Sequence, residues 1–416
     1  MTYPLGLQLR GRKVLVVGGG PVAARRIPAL LDDGALVTVV APYACEDISE
    51  RAAAGSLQWL QREYVPADLD GAWLVLSHSG TPAVEDRVAA DADAARVWCV
   101  KGGDHQASRA WVPAVAKVDD VSVAVNTNGD PKRAAALRDG VAAALDSGEL
   151  PLRRHRRSPS SEGAVGSVAL VGGGPADAGL ITTRGRRLLA MADVVVADRL
   201  GPRALIPGLG ADVEVIEVGK LPGNHPVPQD EINRILVEQA LLGNRVVRLK
   251  GGDPYVLGRG GEEEAYCRDH GVPVEVVPGV TSAISVPAAA GIPVTHRGVA
   301  KGFSVITGHE DITQQAGLIP VGSDHTLVLL MGVSLLPKSV ASLISGGRQP
   351  STPVAIIENG WMDSQRVTTG TLETIAGLAA VRGVKSPAVI VVGDVVTLSP
   401  HWPTSHLPLS VEINTE

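Results

Sequence analysis

Cysteine is scarce in this chain: Cys45, Cys99 and Cys267 are the only three in 416 residues. They lie far apart and form no C-x-x-C pair, which excludes both a disulfide framework and zinc-ligand spacing. That pattern fits a reducing compartment. Aromatic residues are also few, at 3%. Long apolar runs are missing, since none approaches the roughly 20 residues of a membrane helix. The N-terminal apolar run is a short strand ending in glycines rather than a secretory leader. Nor is there an excess of positive charge. The formal net charge is -6, whereas a general nucleic-acid binder needs a basic surface to neutralise phosphates. The expectation is a cytoplasmic, soluble protein with small-molecule partners and neither nucleic acid nor membrane among them.

Hydrophobic residues make up 45% and charged residues 20%, a globular balance that excludes wholesale disorder. The length predicts two or three domains. The 48 glycines and 29 prolines fall in short clusters between Val/Ile/Leu runs, as in an α/β protein with many tight loops. Lys13 to Val17, Ala23 to Leu31 and Leu36 to Val40 read as strand, helix and strand, a βαβ unit that implies a parallel sheet. Strands at Trp73 to Ser77, Val97 to Val100 and Val121 to Val125 extend the pattern, and a first domain is expected over 1–117. Residues 118–163 read as a short helical connector and linker. There an Ala-rich helix, Pro131 to Ser147, gives way to Pro151, Arg153-Arg154-His155-Arg156-Arg157 and Ser158-Pro159-Ser160-Ser161, a solvated hinge. A second α/β pattern then fills 164–416, as two lobes at roughly 164–290 and 300–416.

Gly18-Gly19-Gly20-Pro21-Val22-Ala23 satisfies G-x-G-x-x-A between a strand and a helix. That arrangement gives a tight turn, close backbone approach to a pyrophosphate and a helix N-terminus aimed at it. The second strand runs into Ala41-Pro42-Tyr43 with no acid for a ribose hydroxyl. Backbone contacts from Pro42 and Tyr43 are the substitute, and NAD against NADP stays open.

The run LQLRGRKVLVVGGGPVAARRIPALLDDGALVTVVAP, with Trp73-Leu74-Val75-Leu76-Ser77, Cys99 and Val123-Ala124-Val125, resembles the precorrin-2 dehydrogenase module of siroheme synthases over about the first 130 residues. The resemblance implies a Rossmann-like NAD domain that oxidises precorrin-2 to sirohydrochlorin and takes ferrous iron as a substrate for insertion. In that family an aspartate four residues after the strand cysteine carries both steps. Here that position is Gly103, and Asp104 stands one place on. Two readings stay open: Asp104 takes the catalytic role, or the module is a silent dinucleotide or tetrapyrrole binder. His105 is a neighbouring proton carrier or ligand, and Thr127 occupies the place of a family serine lining the same cleft.

The second half carries Gly172-Gly173-Gly174-Pro175, Val196-Ala197-Asp198-Arg199-Leu200, Val218-Gly219-Lys220 and Val227-Pro228-Gln229-Asp230-Glu231-Ile232-Asn233. Further on come Arg248-Leu249-Lys250-Gly251-Gly252-Asp253-Pro254, Gly258-Arg259-Gly260-Gly261-Glu262-Glu263, Val277-Pro278-Gly279-Val280-Thr281-Ser282 and Pro293-Val294-Thr295-His296-Arg297. Over roughly 164–400 these resemble the tetrapyrrole C-methyltransferases, and among them uroporphyrinogen-III C-methyltransferase. An electron-rich pyrrole carbon can attack a sulfonium methyl, so such an enzyme chiefly aligns donor and acceptor and then removes a proton. The resemblance implies Asp198 as proton acceptor and Lys220 as proton donor. It implies an S-adenosylmethionine site at Pro175, Gly251, Gly252, Asp253, Val256, Thr281, Ser282, Met331 and Gly360. A substrate rich in carboxylates calls for cations, with Arg199, Arg248, Arg259, His296 and Arg297 as candidates and no metal site. A homodimer is expected, since such methyltransferases pair through their own lobes, although the helical segment between the halves is short. A precorrin methyltransferase of the cobalamin route is the remaining alternative.

Overall fold

The computed structural model describes residues 3–104, 106–152, 164–198, 201–210, 212–219 and 227–403. The chain divides into two compact units, Met1–Ala143 and Ala144–Glu416.

The first unit is built on β1 (Lys13–Val17), α1 (Pro21–Asp32), β2 (Leu36–Val40), α2 (Glu46–Ala53), β3 (Gln58–Leu60), β4 (Ala72–Ser77), α3 (Pro82–Ala95) and β5 (Trp98–Lys101). The strands form one sheet in the order β3-β2-β1-β4-β5, parallel throughout. Val14, Leu15 and Val16 are fully buried, as a central strand covered on both faces requires. A separate antiparallel hairpin follows, β6 (Ala114–Val118) with β7 (Val121–Val125), and then α4 (Pro131–Asp146). The boundary expected after residue 117 therefore falls inside β6, whose pairing with β7 carries the unit onward. The compact division lies within α4.

The second unit holds two sheets. β8 (Ser167–Gly172), α5 (Thr183–Met191), β9 (Val194–Ala197), β10 (Glu214–Glu217), α6 (Gln229–Leu241), β11 (Arg245–Lys250), α7 (Gly260–Asp269) and β12 (Val274–Val277) make the first lobe. Its parallel sheet has the order β10-β9-β11-β8-β12. α8 (Ser282–Ala289) leads to β13 (Gly302–Thr307), α9 (Thr313–Ala316), β14 (His325–Leu330), α10 (Leu336–Ser345), β15 (Pro353–Glu358), β16 (Arg366–Thr371), α11 (Ile375–Arg382) and β17 (Ala388–Val392). That sheet is mixed, in the order β13-β14-β17-β15-β16. β17 runs antiparallel to both β14 and β15, so the carboxyl ends of β14 and β15 share one edge. Two apolar cores sandwich this sheet: Leu327, Leu329 and Ile356 face one way, Val328, Ala355 and Ile357 the other. The cysteines are free thiols. Among the described residues no helix is long and apolar enough to cross a membrane.

Candidate functional sites on two parallel sheets

In the first unit the turn after β1 leaves no room for a side chain at its first two glycines. Gly18 has φ +121°, and a Cβ there would lie 2.2 Å from the His78 carbonyl oxygen; one on Gly19 would lie 2.0 Å from the Tyr43 carbonyl oxygen. Nothing lies within 4 Å of a Cβ on Gly20, so the space beside the third glycine is open. α1 starts at Pro21 with no side-chain cap and no acid in its first turn, leaving its first amides suited to an anion. Val22 and Tyr43 are exposed on either side, and Pro42 is exposed with them. These residues fit a dinucleotide, and the tip of β2 offers no carboxylate to choose between NAD and NADP.

A cleft of about 530 Å³ is lined by Val22, His78, Lys101, Asp104 and Thr127 among others. Asp104 is heavily engaged there. Its Oδ1 accepts from the backbone N–H groups of Gln106 and Ala107, both at 3.1 Å, and Oδ2 lies 3.2 Å from Lys101 Nζ. The Ala107 amide, followed by Lys101, holds its carboxyl below the usual range. Gly103 has φ +70° with open space around it. Thr127 Oγ1 donates to the Asp130 carbonyl. His105 lies outside the described residues.

His78 escapes the sequence reading. It follows β4 at the carboxyl edge of the sheet, and both ring nitrogens are buried with no hydrogen-bond partner among the described residues. Burial, with the Arg26 charge second, pushes its pKa down, so the imidazole is neutral near pH 7. The available signal was positional: ligands of open α/β sheets gather at the carboxyl ends of the strands.

In the second unit three loops meet backbone to backbone at the carboxyl edge of the first-lobe sheet. A Cβ on Gly172 would lie 2.5 Å from Gly279 N, and one on Gly279 would lie 2.2 Å from Gly252 O. Gly174 and Gly252 exchange hydrogen bonds of 3.2 and 2.8 Å, and Pro175 follows directly. Asp253 stitches the loops together, accepting from Tyr255 N–H at 2.8 Å and Gly279 N–H at 3.0 Å. Thr281 caps α8 by accepting from Ala283 N–H. A Cβ on Gly252 would stand 3.5 Å from Ser282 N.

One turn along α8, a Cβ on Gly360 would lie 2.7 Å from Val286 Cγ1. Trp361 Nε1 donates to Ser285 O at 2.7 Å. Met331 and Gly360 follow the carboxyl ends of β14 and β15, on one edge of the sheet with β17 between the two strands, and Met331 is 49% exposed, which sets it apart from plain core. The structure thus brings Pro175, Gly251, Gly252, Asp253, Thr281 and Ser282 into one cradle and connects it through α8 to the edge carrying Met331 and Gly360. A glycine-rich cradle of this kind fits S-adenosylmethionine, whose adenine and amino-acid end take backbone partners. Val256 is 37% exposed beside it in sequence.

Asp198 follows β9 at the same edge, where its N–H donates to Leu249 O at 3.1 Å. Its Oδ1 accepts from Arg248 Nη2 at 2.6 Å. Arg248 is only 2% exposed, and its Nε donates to Glu263 at 3.1 Å. This corrects the expectation that Arg248 meets substrate carboxylates: its guanidinium is buried in β11 and committed to two internal acids. Lys250 Nζ lies 3.0 Å from both Glu263 oxygens. Burial, then the charge of Arg248, lowers its pKa. The other described candidates lie at the surface. Arg259 pairs with Glu262 at 2.7 Å on the surface, and His296 and Arg297 are exposed. Arg199 and Lys220 lie outside the described residues. Among the described residues no group of three His, Cys, Asp or Glu is arranged to hold a metal ion.

Comparison with known proteins matches each half. The family described as Tetrapyrrole (Corrin/Porphyrin) Methylases matches residues 167–376, and that described as Putative NAD(P)-binding matches residues 5–114. A siroheme synthase of Chromobacterium violaceum is 36% identical, covering 95% of this chain and 95% of that protein. One of Pseudomonas putida is 38% identical, covering 96% and 97%. The crystal structure of uroporphyrin-III C-methyltransferase from Thermus thermophilus complexed with S-adenosylhomocysteine is 38% identical, covering 56% of this chain and all of that one, with a TM-score of 0.47. Relatives at 36–38% identity that align across nearly the whole of both chains show that this chain belongs to the siroheme synthase family.

Proposed function

We propose that the second unit methylates uroporphyrinogen III at two ring carbons to give precorrin-2, and that the first unit oxidises precorrin-2 to sirohydrochlorin, with ferrous iron as the substrate of a final insertion. When bound, S-adenosylmethionine supplies the methyl groups and NAD accepts the hydride. The chain's own residues do the rest. The cradle of Pro175, Gly251, Gly252, Asp253, Thr281 and Ser282, with Val256, Met331 and Gly360, orients the donor. Asp198 takes the proton lost from the methylated ring, and Lys220 is the proton donor of the site. Arg199, Arg259, His296 and Arg297 meet substrate carboxylates. Gly18, Gly19, Gly20, Pro21, Val22, Pro42 and Tyr43 seat the dinucleotide, with Asp104 and Thr127 in the adjoining cleft. The enzyme is a cytoplasmic homodimer.

The observation that carries this reading is the alignment of siroheme synthases across 95% of the chain. Its physical support is that each half has a parallel sheet whose carboxyl edge bears glycines that no Cβ could replace. A second reading, methylation with a silent first unit, is favoured by one feature: Asp104 spends both oxygens on Gln106, Ala107 and Lys101.

An anaerobic incubation with uroporphyrinogen III and S-adenosylmethionine, with NAD, NADP or neither, separates the two. Sirohydrochlorin that forms only with a nicotinamide cofactor supports two active halves. Precorrin-2 accumulating regardless of cofactor supports the silent unit, and absence of methylation overturns both.

A further inference from the structure

Four ionisable side chains meet in the first lobe of the second unit, and the proposed chemistry uses only one of them. Arg248 and Lys250 on β11 and Glu263 on α7 are 2%, 3% and 0% exposed. The side chain of Asp198 is 30% exposed. Burying charge is costly unless it is paired, and replacing such groups by apolar side chains is commonly neutral or stabilising. Stability is therefore a weak reason to keep the trio in a strand whose neighbours Val246, Val247 and Leu249 are apolar.

We infer that Arg248, Lys250 and Glu263 form a positioning network that fixes the orientation and the charge of Asp198 for proton removal; this rests on the reading of Asp198 as proton acceptor. The geometry is directional. Every nitrogen of the Arg248 guanidinium is committed: Nε to Glu263, Nη1 to the Val196 and Leu249 carbonyls, and Nη2 to Asp198. A planar fork held at its other corners cannot follow Asp198 if that side chain rotates. Asp198 Oδ1 is thereby pinned, and Oδ2 has no partner among the described residues.

Lys250 completes the balance. Glu263 alone would draw Arg248 away from Asp198, but the ammonium of Lys250 faces both Glu263 oxygens at 3.0 Å, and Gln229 Nε2 donates to Glu263 as well, at 3.1 Å. Arg248 and Lys250 both interact electrostatically with Asp198, and Glu263 acts on each of those two cations. The three together carry one surplus positive charge, which the Asp198 carboxylate offsets. The proton leaves the methylated ring and is received by that carboxylate, so the network acts through Asp198 and touches neither substrate nor cofactor.

The test uses the full-length protein and follows S-adenosylhomocysteine release across pH, anaerobically and without nicotinamide. Arg248→Met removes the charge at similar length. It is expected to lower kcat about tenfold and to move the acidic limb of the profile upward by about one pH unit, tenfold being the equivalent of one unit. KM for S-adenosylmethionine should stay within about twofold, a small change on the same scale, and Arg248→Lys should recover part of the loss. Glu263→Gln keeps the shape and removes the anion that competes for Arg248, so the limb should move downward. Opposite movements are the signature. Rate losses in both variants with an unmoved limb, or a loss carried by KM, would overturn the network. If Arg248→Met does not fold, the direction of the Glu263→Gln limb decides alone. Asp198→Asn separates the two levels: full methylation in that variant sinks the reading of Asp198 itself, whereas lost methylation beside an unmoved Glu263→Gln limb sinks only the network.

Discussion

A Cβ placed on Gly18 would lie 2.2 Å from the carbonyl oxygen of His78, the residue that follows β4. Both partners in that contact are main chain, and Gly18 has φ +121°, a region closed to ordinary side chains. Gly18→Ala must therefore push the turn away from β4 and displace the start of α1. NAD binding, followed by equilibrium dialysis, should weaken by about tenfold or more, since a displacement costing only ~1.4 kcal/mol already accounts for that factor. The methylation rate in the second unit should not change. Intact NAD affinity in this variant would mean that the dinucleotide is held elsewhere.

His78 is expected to make the first unit sensitive to acid. Its pKa is lowered by burial and then by Arg26, so between the ordinary histidine value of about 6.5 and the lower folded value the unfolded chain binds the extra proton. Stability then rises with pH across that window and falls as pH drops through it. Melting curves from neutral pH downward should show the first unit losing stability below about 6.5. His78→Gln, which cannot be protonated, should flatten that slope. An unchanged slope in the variant would assign the acid sensitivity to another group.

The sequence exposed the strands that are buried on both faces and hid the rest, for reasons visible in particular segments. KVLVV of β1 and AVIVV of β17 are continuous apolar runs because helices cover both sides. QWL of β3, EVIE of β10 and RVTTGT of β16 lie at sheet edges and are half exposed, so no run betrays them. The β6–β7 hairpin turns at Asp119, with φ +51°, and its short strands gave no signal of pairing with each other. The close backbone turns at Gly18, Gly172 and Gly279 were legible because glycines cluster directly after apolar strands. Arg248 was not: a charged residue beside a ligand motif reads as ligand-facing until α7 is seen to bring Glu263 against it. His78 belongs to no motif and became visible only when β4 was placed beside β1.

Gly279 offers a sharper test of the methyl-donor site than any charged residue. Its Cβ would lie 2.2 Å from Gly252 O and 2.6 Å from the Gly172 backbone, so Gly279→Ala forces its own loop away from both of the other loops that form the cradle. Isothermal titration with S-adenosylhomocysteine should show at least a tenfold loss of affinity, ~1.4 kcal/mol, with NAD binding by the first unit preserved. Unaltered affinity would remove the cradle from the cofactor site.

The division between the units can be measured with two fragments, one starting at Ala144 and one at Ala164. Residues ahead of β8 are part of the second unit in physical terms. Leu152 is 9% exposed, and its N–H donates to Ala190 O at 3.2 Å at the end of α5. Asp146 pairs with Arg187 on the same helix. A Cβ on Gly148 would lie 2.6 Å from Arg187 Cα, so the chain passes flush against α5. Starting at Ala164 discards these contacts and uncovers the α5 surface beneath them, and burial of a leucine of this kind is worth about 1.5–3 kcal/mol. Urea denaturation should place the midpoint of the 164–416 fragment below that of 144–416 by about 1 M, given a slope of 1–3 kcal/mol per M. Coincident midpoints would move the boundary to residue 164, and the ordering expected here makes the end of α4 part of the methyltransferase fold.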